Sequence, residues 1–399
     1  MFLSYPISIS LRKMNIRMNS VGLRILWSEI RDLLWRMSKK VSSMGNRIAN
    51  HSEPSVLFIY YENSIAESQL YPFFENRLEI KTKHGLNFYM HPISRRKELI
   101  SEDTYNPRVI LIQVHFHSTK QFIERLFFDL KKKWPSTRII LMDWYATLDL
   151  RLADSVNSSI DLYVKKTSFT DFENYSRYYF GDTNLMDYYG KMYDCDHEEK
   201  RYIIPDGFKT KLINGPGFLT APYLCSLFSY RAQPDGHKPI DLNARFSTRG
   251  SQWYSSMRIS ALSVAKSLPN KYQVVTGSLN KRRYLAELSL CKATISPFGY
   301  GEICWRDYEA IAMGSLLFKP DMGHLSAVPD IYRPYETYIP IAWDYSDFEE
   351  KFSYYLERPD EIERIIGNAY RVCHGYLNRQ VFLTHLETLL SDQTETNII

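Results

Sequence analysis

Glu302, Arg306 and Glu309 follow a turn-rich segment, SPFGYGE (296–302), at spacings of four and three. On a helix such spacings put the three side chains on one face. A glycine-rich turn before that helix points to a phosphorylated ligand. Gly299 and Gly301 let the backbone approach it with no Cβ in the way. The free N–H groups at the start of the helix attract an anion. Glu309 could accept hydrogen bonds from the vicinal hydroxyls of a ribose. The same residues also fit a plainer description, an ion-pair ladder on a solvated helix, worth about a few tenths of a kcal/mol. Spacing alone leaves both open.

A second set of candidates lies in the other half of the chain. QVHFHS places His115 and His117 just past the apolar run RVILIQV (108–114), and LMDWYATLDLR carries Asp143, Asp149 and Arg151. Transfer of a group to a hydroxyl needs a base near that hydroxyl. Asp143 or His117 would serve, with Asp206 in YIIPDGF behind them. Each has a structural alternative: an Asp capping the next helix, or a His bonded to a loop carbonyl. The five cysteines show no CxxC spacing and the histidines do not cluster, so no bound metal and no disulfide framework is expected.

The stretch GYGEICWRDYEAIAMG (299–314) resembles the C-terminal donor-binding motif of GT-B glycosyltransferases, the group 1 and exostosin-like families. The resemblance extends to NARFSTRGSQWYSSMR (243–258) and KRRYLAELSLCKATISPFG (281–299), and spans about residues 238–375. It implies two Rossmann-like domains facing a cleft, a nucleotide-diphosphate sugar as co-substrate, no further cofactor, and a carbohydrate or lipid-linked acceptor. Glu309 matches the ribose-binding Glu of the family. Arg306 matches an Arg three residues before it. Arg245 and Arg249 fall where basic residues meet the donor diphosphate. Many retaining members carry a further Glu eight residues before the ribose-binding one. Here that position is Gly301 and the nearest acid is Glu302, so inversion and retention both stay open. So do a sugar-nucleotide epimerase, a polyol-phosphate transferase and a non-catalytic nucleotide- or partner-binding protein of the same fold.

The elements that must position these residues alternate along the chain. SVLFIYY (55–61), RVILIQV, TRIILMD (137–143) and IDLYVKK (160–166) read as buried strands with helices between them. Loop-forming clusters fill 181–237. A second alternation follows through PIDLNARF (239–246), YQVVTG (272–277), ATIS (293–296), SLLFK (315–319) and YIPIA (338–342). Buried strands alternating with helices predict parallel sheets covered on both faces. The expected division is an extension at 1–50, an acceptor domain at 51–200, an interdomain region at 201–237, a donor domain at 238–375, and a helix and tail at 376–399.

The 399 residues are too many for one ordinary core, and 44% apolar with 24% charged residues is typical of a globular protein. The basic excess is local. Residues 1–50 hold nine Lys or Arg against Glu29 and Asp32. The body is therefore not basic, and no nucleic-acid partner is expected. No apolar run is long enough to cross a bilayer, and the start lacks the order of a secretory signal, so a cytoplasmic location is expected. Leu23, Leu26, Trp27, Ile30, Leu33, Leu34, Met37 and Val41 recur at helical spacing among basic residues. Through residues 12–47 this helix would either lie on an anionic membrane surface or dock on the protein's own body.

Overall fold

The computed structural model describes residues 21–45, 53–95, 105–228, 237–377, 387, 389 and 390. Residues 1–20 and 46–50 of the extension, and nearly all of the expected tail, lie outside the described residues.

The first domain is built on a sheet of β1 (Pro54–Tyr60), β2 (Asn87–Pro92), β3 (Asn106–Ile112), β4 (Arg138–Asp143), β5 (Leu162–Lys165) and, after three short strands, a last strand at Leu212–Asn214. Two of the short strands, β7 (Tyr179–Phe180) and β8 (Glu199–Lys200), pair antiparallel as a separate two-stranded sheet; the third is β6 (Thr167–Phe169), and the last strand is β9. The sheet order is β2-β1-β3-β4-β5-β9, with every pair parallel. Val56 to Ile59 and Ile139 to Met142 have no exposure at all, as expected of strands covered on both faces. Helices α2 (Ser64–Glu75), α3 (Arg77–His84) and α4 (Lys120–Lys133) alternate with the strands, and α5 (Asn184–Met192) follows them. Asn63 and Thr119 cap α2 and α4 through their side chains.

Because β9 pairs with β5, the first domain runs past the expected boundary at 200. Its three residues are only half-buried and stand among turn formers, so no apolar run announced them.

A linker with the short helix α6 (Pro222–Phe228) leads to the second domain. Its strands are β10 (Ile240–Ala244), β11 (Val274–Thr276), β12 (Cys291–Ile295), β13 (Leu316–Pro320) and, after β14 (Leu325–Ala327), β15 (Ile339–Ile341). They form a parallel sheet in the order β11-β10-β12-β13-β15. Helices α7 (Gln252–Lys266), α8 (Lys281–Leu288), α9 (Trp305–Ala312), α10 (Phe348–Leu356) and α11 (Pro359–Leu377) surround it. Two doubly wound, Rossmann-like domains are thus present, as the alternation of strands and helices predicted.

The carboxyl edges of the two sheets face each other and touch. β14 of the second domain pairs antiparallel with β6 of the first, Leu325 opposite Phe169 and Ala327 opposite Thr167. Asn184 of α5 donates to Glu302 at 2.8 Å, and the Tyr189 hydroxyl donates to the Trp343 carbonyl at 2.8 Å.

The extension forms the helix α1 (Val21–Gly45), which docks on the body. Ile25 and Trp35 are buried. The buried guanidinium of Arg24 donates to the carbonyls of Leu227 and Ala312, at 2.7 and 2.9 Å. Arg31 meets Tyr71 and Glu75, and Lys39 pairs with Glu67 at 2.6 Å. Of the two readings of this helix, docking is the one seen, and three of its cations are turned inward. Among the described residues no helix is long and apolar enough to cross a membrane.

Candidate functional site at the facing sheet edges

In both sheets the strand order reverses beside the first strand, between β1 and β3 and between β10 and β12. Open parallel sheets bind ligands beyond the carboxyl ends of the strands at such a reversal. The loop after β10 carries Arg245 and Arg249, and the loop after β12 carries Gly299, Gly301 and Glu302. The loop after β3 carries His115 and His117.

Arg306 lies at the second position of α9. Its Nε donates to the Arg245 carbonyl at 3.3 Å and its Nη1 to the Ser296 hydroxyl at 3.2 Å. Its guanidinium stands 5.2 Å from the centre of the Phe246 ring, and no carboxylate lies within ion-pair distance among the described residues. Arg249 is exposed, and its guanidinium has no carboxylate partner among the described residues. Arg258, a buried cation that the motif did not single out, donates to the Phe298 and Ser247 carbonyls at 2.8 and 2.9 Å; burial lowers its pKa. None of these three cations is paired with an acid among the described residues, which suits an anion at this edge.

Arg245 behaves differently. It makes a two-pronged ion pair with Glu287 of α8, at 2.5 and 2.9 Å, and also bonds the Thr276 carbonyl. Its fork is filled by the protein, which corrects its expected place on the diphosphate. Glu287 lies 42 residues away, so no local spacing revealed the pair.

Glu309 is 8% exposed. The Tyr223 hydroxyl of α6 donates to it at 3.0 Å, and the Lys281 ammonium stands 2.9 Å from the centre of the Tyr223 ring. Burial raises the Glu309 pKa, against the opposing pull of Lys281, Tyr223 and Arg306. The Tyr284 hydroxyl adjoins both the carboxylate and the Asn243 side chain, and Asn243 is buried. Glu309 therefore belongs to a buried polar group rather than a solvated ladder. Its companions Asn243, Lys281, Tyr284 and Tyr223 come from separate elements, and sequence spacing did not assemble them.

The glycines serve the backbone. A Cβ on Gly301 would fall 1.7 Å from the Ala146 carbonyl oxygen of the first domain, so this glycine permits domain contact. A Cβ on Gly299 would meet the Gly301 carbonyl oxygen at 3.3 Å. Gly314 has φ +69°, the left-handed conformation that ends α9. Asp307, overlooked in the sequence, holds the start of α9. It accepts from the Cys304 N–H at 2.9 Å, Ser296 at 2.5 Å and Tyr332 at 2.7 Å, and pairs with Lys319 at 3.0 Å. The helix start thus already holds one carboxylate of its own.

Glu302 faces the first domain. One oxygen accepts from Asn184 and lies 3.6 Å from the His324 Nε2, while the other is buried without a partner.

Across the interface, Tyr61, His115, Phe116, His117, Trp144 and Tyr145 form an aromatic cluster. Tyr61 stacks on Trp144 at 5.4 Å, and Phe116, 49% exposed, packs edge-on to Trp144 and Tyr145. His117 is exposed, and its backbone N–H donates to His115 Nδ1 at 3.2 Å. Burial, then the neighbouring His117, lowers the His115 pKa. Asp143 is 2% exposed; it accepts from Lys165 at 2.8 Å, from Tyr163 at 2.7 Å and from the Tyr145 N–H at 2.9 Å. Its oxygens are committed to the fold, which corrects its candidacy as a base. Asp206 stands in an exposed turn. The Asp-x-Asp triplet of the chain, Asp194–Cys195–Asp196, follows α5, and no three metal-ligating side chains converge among the described residues.

No family model matches the chain, and no curated protein sequence matches it. Several solved structures are similar in three dimensions. One is a glycosyltransferase from Rickettsia africae ESF-5, with a TM-score of 0.49 and 10% identity over 86% of this chain and 100% of that one. Another is an alpha-glucosyltransferase in complex with UDP, at 0.46 and 10% identity over 85% and 100%. A third, from Listeria monocytogenes, carries the assignment UDP-N-acetylglucosamine 2-epimerase, at 0.43 and 8% identity over 86% and 99%.

Proposed function

We propose that the protein transfers a glycosyl group from a nucleotide-diphosphate sugar to an acceptor hydroxyl. The observation that carries this reading is the buried Glu309 carboxylate at the β10/β12 reversal, joined through Tyr284 to the buried Asn243, with Arg306, which has no acid partner among the described residues, one helical turn away. A ribose supplies hydroxyl donors for Glu309 and acceptors for Asn243. The diphosphate then reaches Arg306 and Arg249.

In this reaction the acceptor oxygen forms a bond to the anomeric carbon as the bond to the diphosphate oxygen breaks. Negative charge gathers on the leaving diphosphate, where Arg306 and Arg249 stabilise it. His117, at the opposing reversal, takes the acceptor proton. Phe116 and the rings behind it offer an apolar face on which a sugar ring can stack, which favours a carbohydrate acceptor.

Thermal shift with a panel of nucleoside diphosphates and their sugars tests the donor side, because a ligand of the folded state raises the melting temperature with its concentration over Kd. A nucleoside diphosphate should stabilise the wild type and leave Glu309→Ala unmoved. No stabilisation by any member would overturn the reading.

A further inference from the structure

Docking of α1 leaves its opposite face outward. Leu26, Leu33 and Met37 are 39%, 57% and 55% exposed, and Ile30 between them is half-buried. The spacing 26, 30, 33, 37 makes them one stripe along three turns of helix. Apolar side chains aligned this way on a surface helix mark a contact site rather than scattered exposure.

The charges around the stripe decide what covers it. Alongside α1 runs the start of α8, where the Lys281 ammonium senses Glu29, Asp32 and Arg36 of α1. The next two residues, Arg282 and Arg283, are exposed and have no carboxylate partner among the described residues. On α1 itself Asp32 pairs with Arg36 at 2.6 Å, and Glu29 makes no direct ion pair among the described residues. In sequence no acid occurs before Glu29 or between Leu33 and Ser52, whereas Arg12, Lys13 and Arg17 precede the helix and Lys40 and Arg47 fall near its end. A second copy paired along the stripe would bring its own Arg282 and Arg283 rather than the anions these arginines lack. A neutral apolar partner would leave Arg282 and Arg283 unused. A negatively charged surface with an apolar layer beneath it satisfies both features.

We propose that the outward face of α1, with Arg282 and Arg283 beside it, docks the protein on an anionic lipid bilayer. Leu26, Leu33 and Met37 enter the boundary of the acyl region, the helix lying in the plane of the surface. The two arginines meet the lipid phosphates. Since α8 also carries Lys281 and Tyr284, docking would hold the nucleotide side of the cleft near the membrane. The surface does not depend on the identity of the reaction.

The test is co-sedimentation of the full chain with phosphatidylcholine vesicles, with and without phosphatidylglycerol. Binding should require phosphatidylglycerol and fall as salt is raised. The pair Leu33→Asp and Met37→Asp, at exposed positions, should abolish it while circular dichroism and the melting temperature stay as in the wild type. The pair Arg282→Glu and Arg283→Glu should weaken it at least about tenfold. The proposal is overturned if the wild type ignores phosphatidylglycerol vesicles, or if neither pair changes binding. It is equally overturned if the stripe variants convert a dimer to a monomer in sedimentation velocity without affecting vesicle binding.

Discussion

Gly301 rests against the carbonyl oxygen of Ala146, so that a β-carbon at Gly301 would lie 1.7 Å from that oxygen. The two residues belong to opposite domains, and both contacting atoms are backbone, which cannot rotate aside. Gly301→Ala must push the facing edges apart. It should cost about 1–3 kcal/mol of stability and lower turnover more than nucleotide affinity, because the proposed nucleotide-binding residues Glu309 and Arg306 both lie in the second domain and the proposed reaction needs both domains. Thermal melts and a separate nucleotide titration check this; wild-type melting and turnover would show that the contact yields freely.

Glu309 is held in a setting that disfavours its charge. Its folded pKa is raised, so it contributes stability that is complete below the unfolded pKa and lost as pH rises through the folded one. Glu309→Gln keeps the shape and removes the charge. Relative to the wild type it should gain stability as pH rises through and above the carboxylate range, and match it at low pH. The same change should weaken nucleotide binding by about 1.5–3 kcal/mol. Melts across pH, with titrations at neutral pH, read both effects.

Arg306 and Arg245 should separate cleanly. Arg306 bonds only neutral oxygens, whereas Arg245 is paired with Glu287. Arg306→Ala should reduce diphosphate affinity and turnover with little loss of stability. Arg245→Ala should destabilise the protein by about 1–3 kcal/mol by leaving Glu287 unpaired and touch diphosphate affinity less. Calorimetric titration with a nucleoside diphosphate, beside thermal melts, distinguishes them.

On the acceptor side, His117 is exposed and Asp143 is buried in an ion pair with Lys165. His117→Ala should lower kcat about 100-fold or more without changing the melting temperature. Asp143→Asn should cost about 3–5 kcal/mol of stability, and any loss of rate should follow the fraction unfolded. Rates measured well below the melting temperature decide between them.

Lys166 is buried with its ammonium on the Trp144 carbonyl at 2.6 Å, over the Phe218 ring. Burial lowers its pKa from 10.5 to about 7. A depressed folded pKa means that its contribution to stability is present above the unfolded value and is lost as pH falls through the folded one. Lys166→Met should therefore gain on the wild type as pH falls from about 10 to about 7 and gain no more below that. A gain independent of pH would show that Lys166 stays charged throughout.

The sequence by itself determined the repeating parts of the fold. Seven-residue runs such as PSVLFIY and NPRVILI can hide their side chains only as strands covered on both faces, and the intervening helical stripes supply the cover. It also placed Arg306 and Glu309 on one helix after a turn at a strand end, because that arrangement is local. What it left open depends on residues distant in the chain. Arg245 was readable as a basic residue in a loop, but only the approach of Glu287 made it a structural ion pair. Asp143 had the type and position of a base, but Lys165 and Tyr163 enclosed it. Gly301 read as room for a ligand, and Ala146 of the other domain took that room. Tertiary structure decided each of these, because whether a charged side chain is free for chemistry depends on which partners the fold brings within about 3 Å, and neither composition nor spacing along the chain contains that distance.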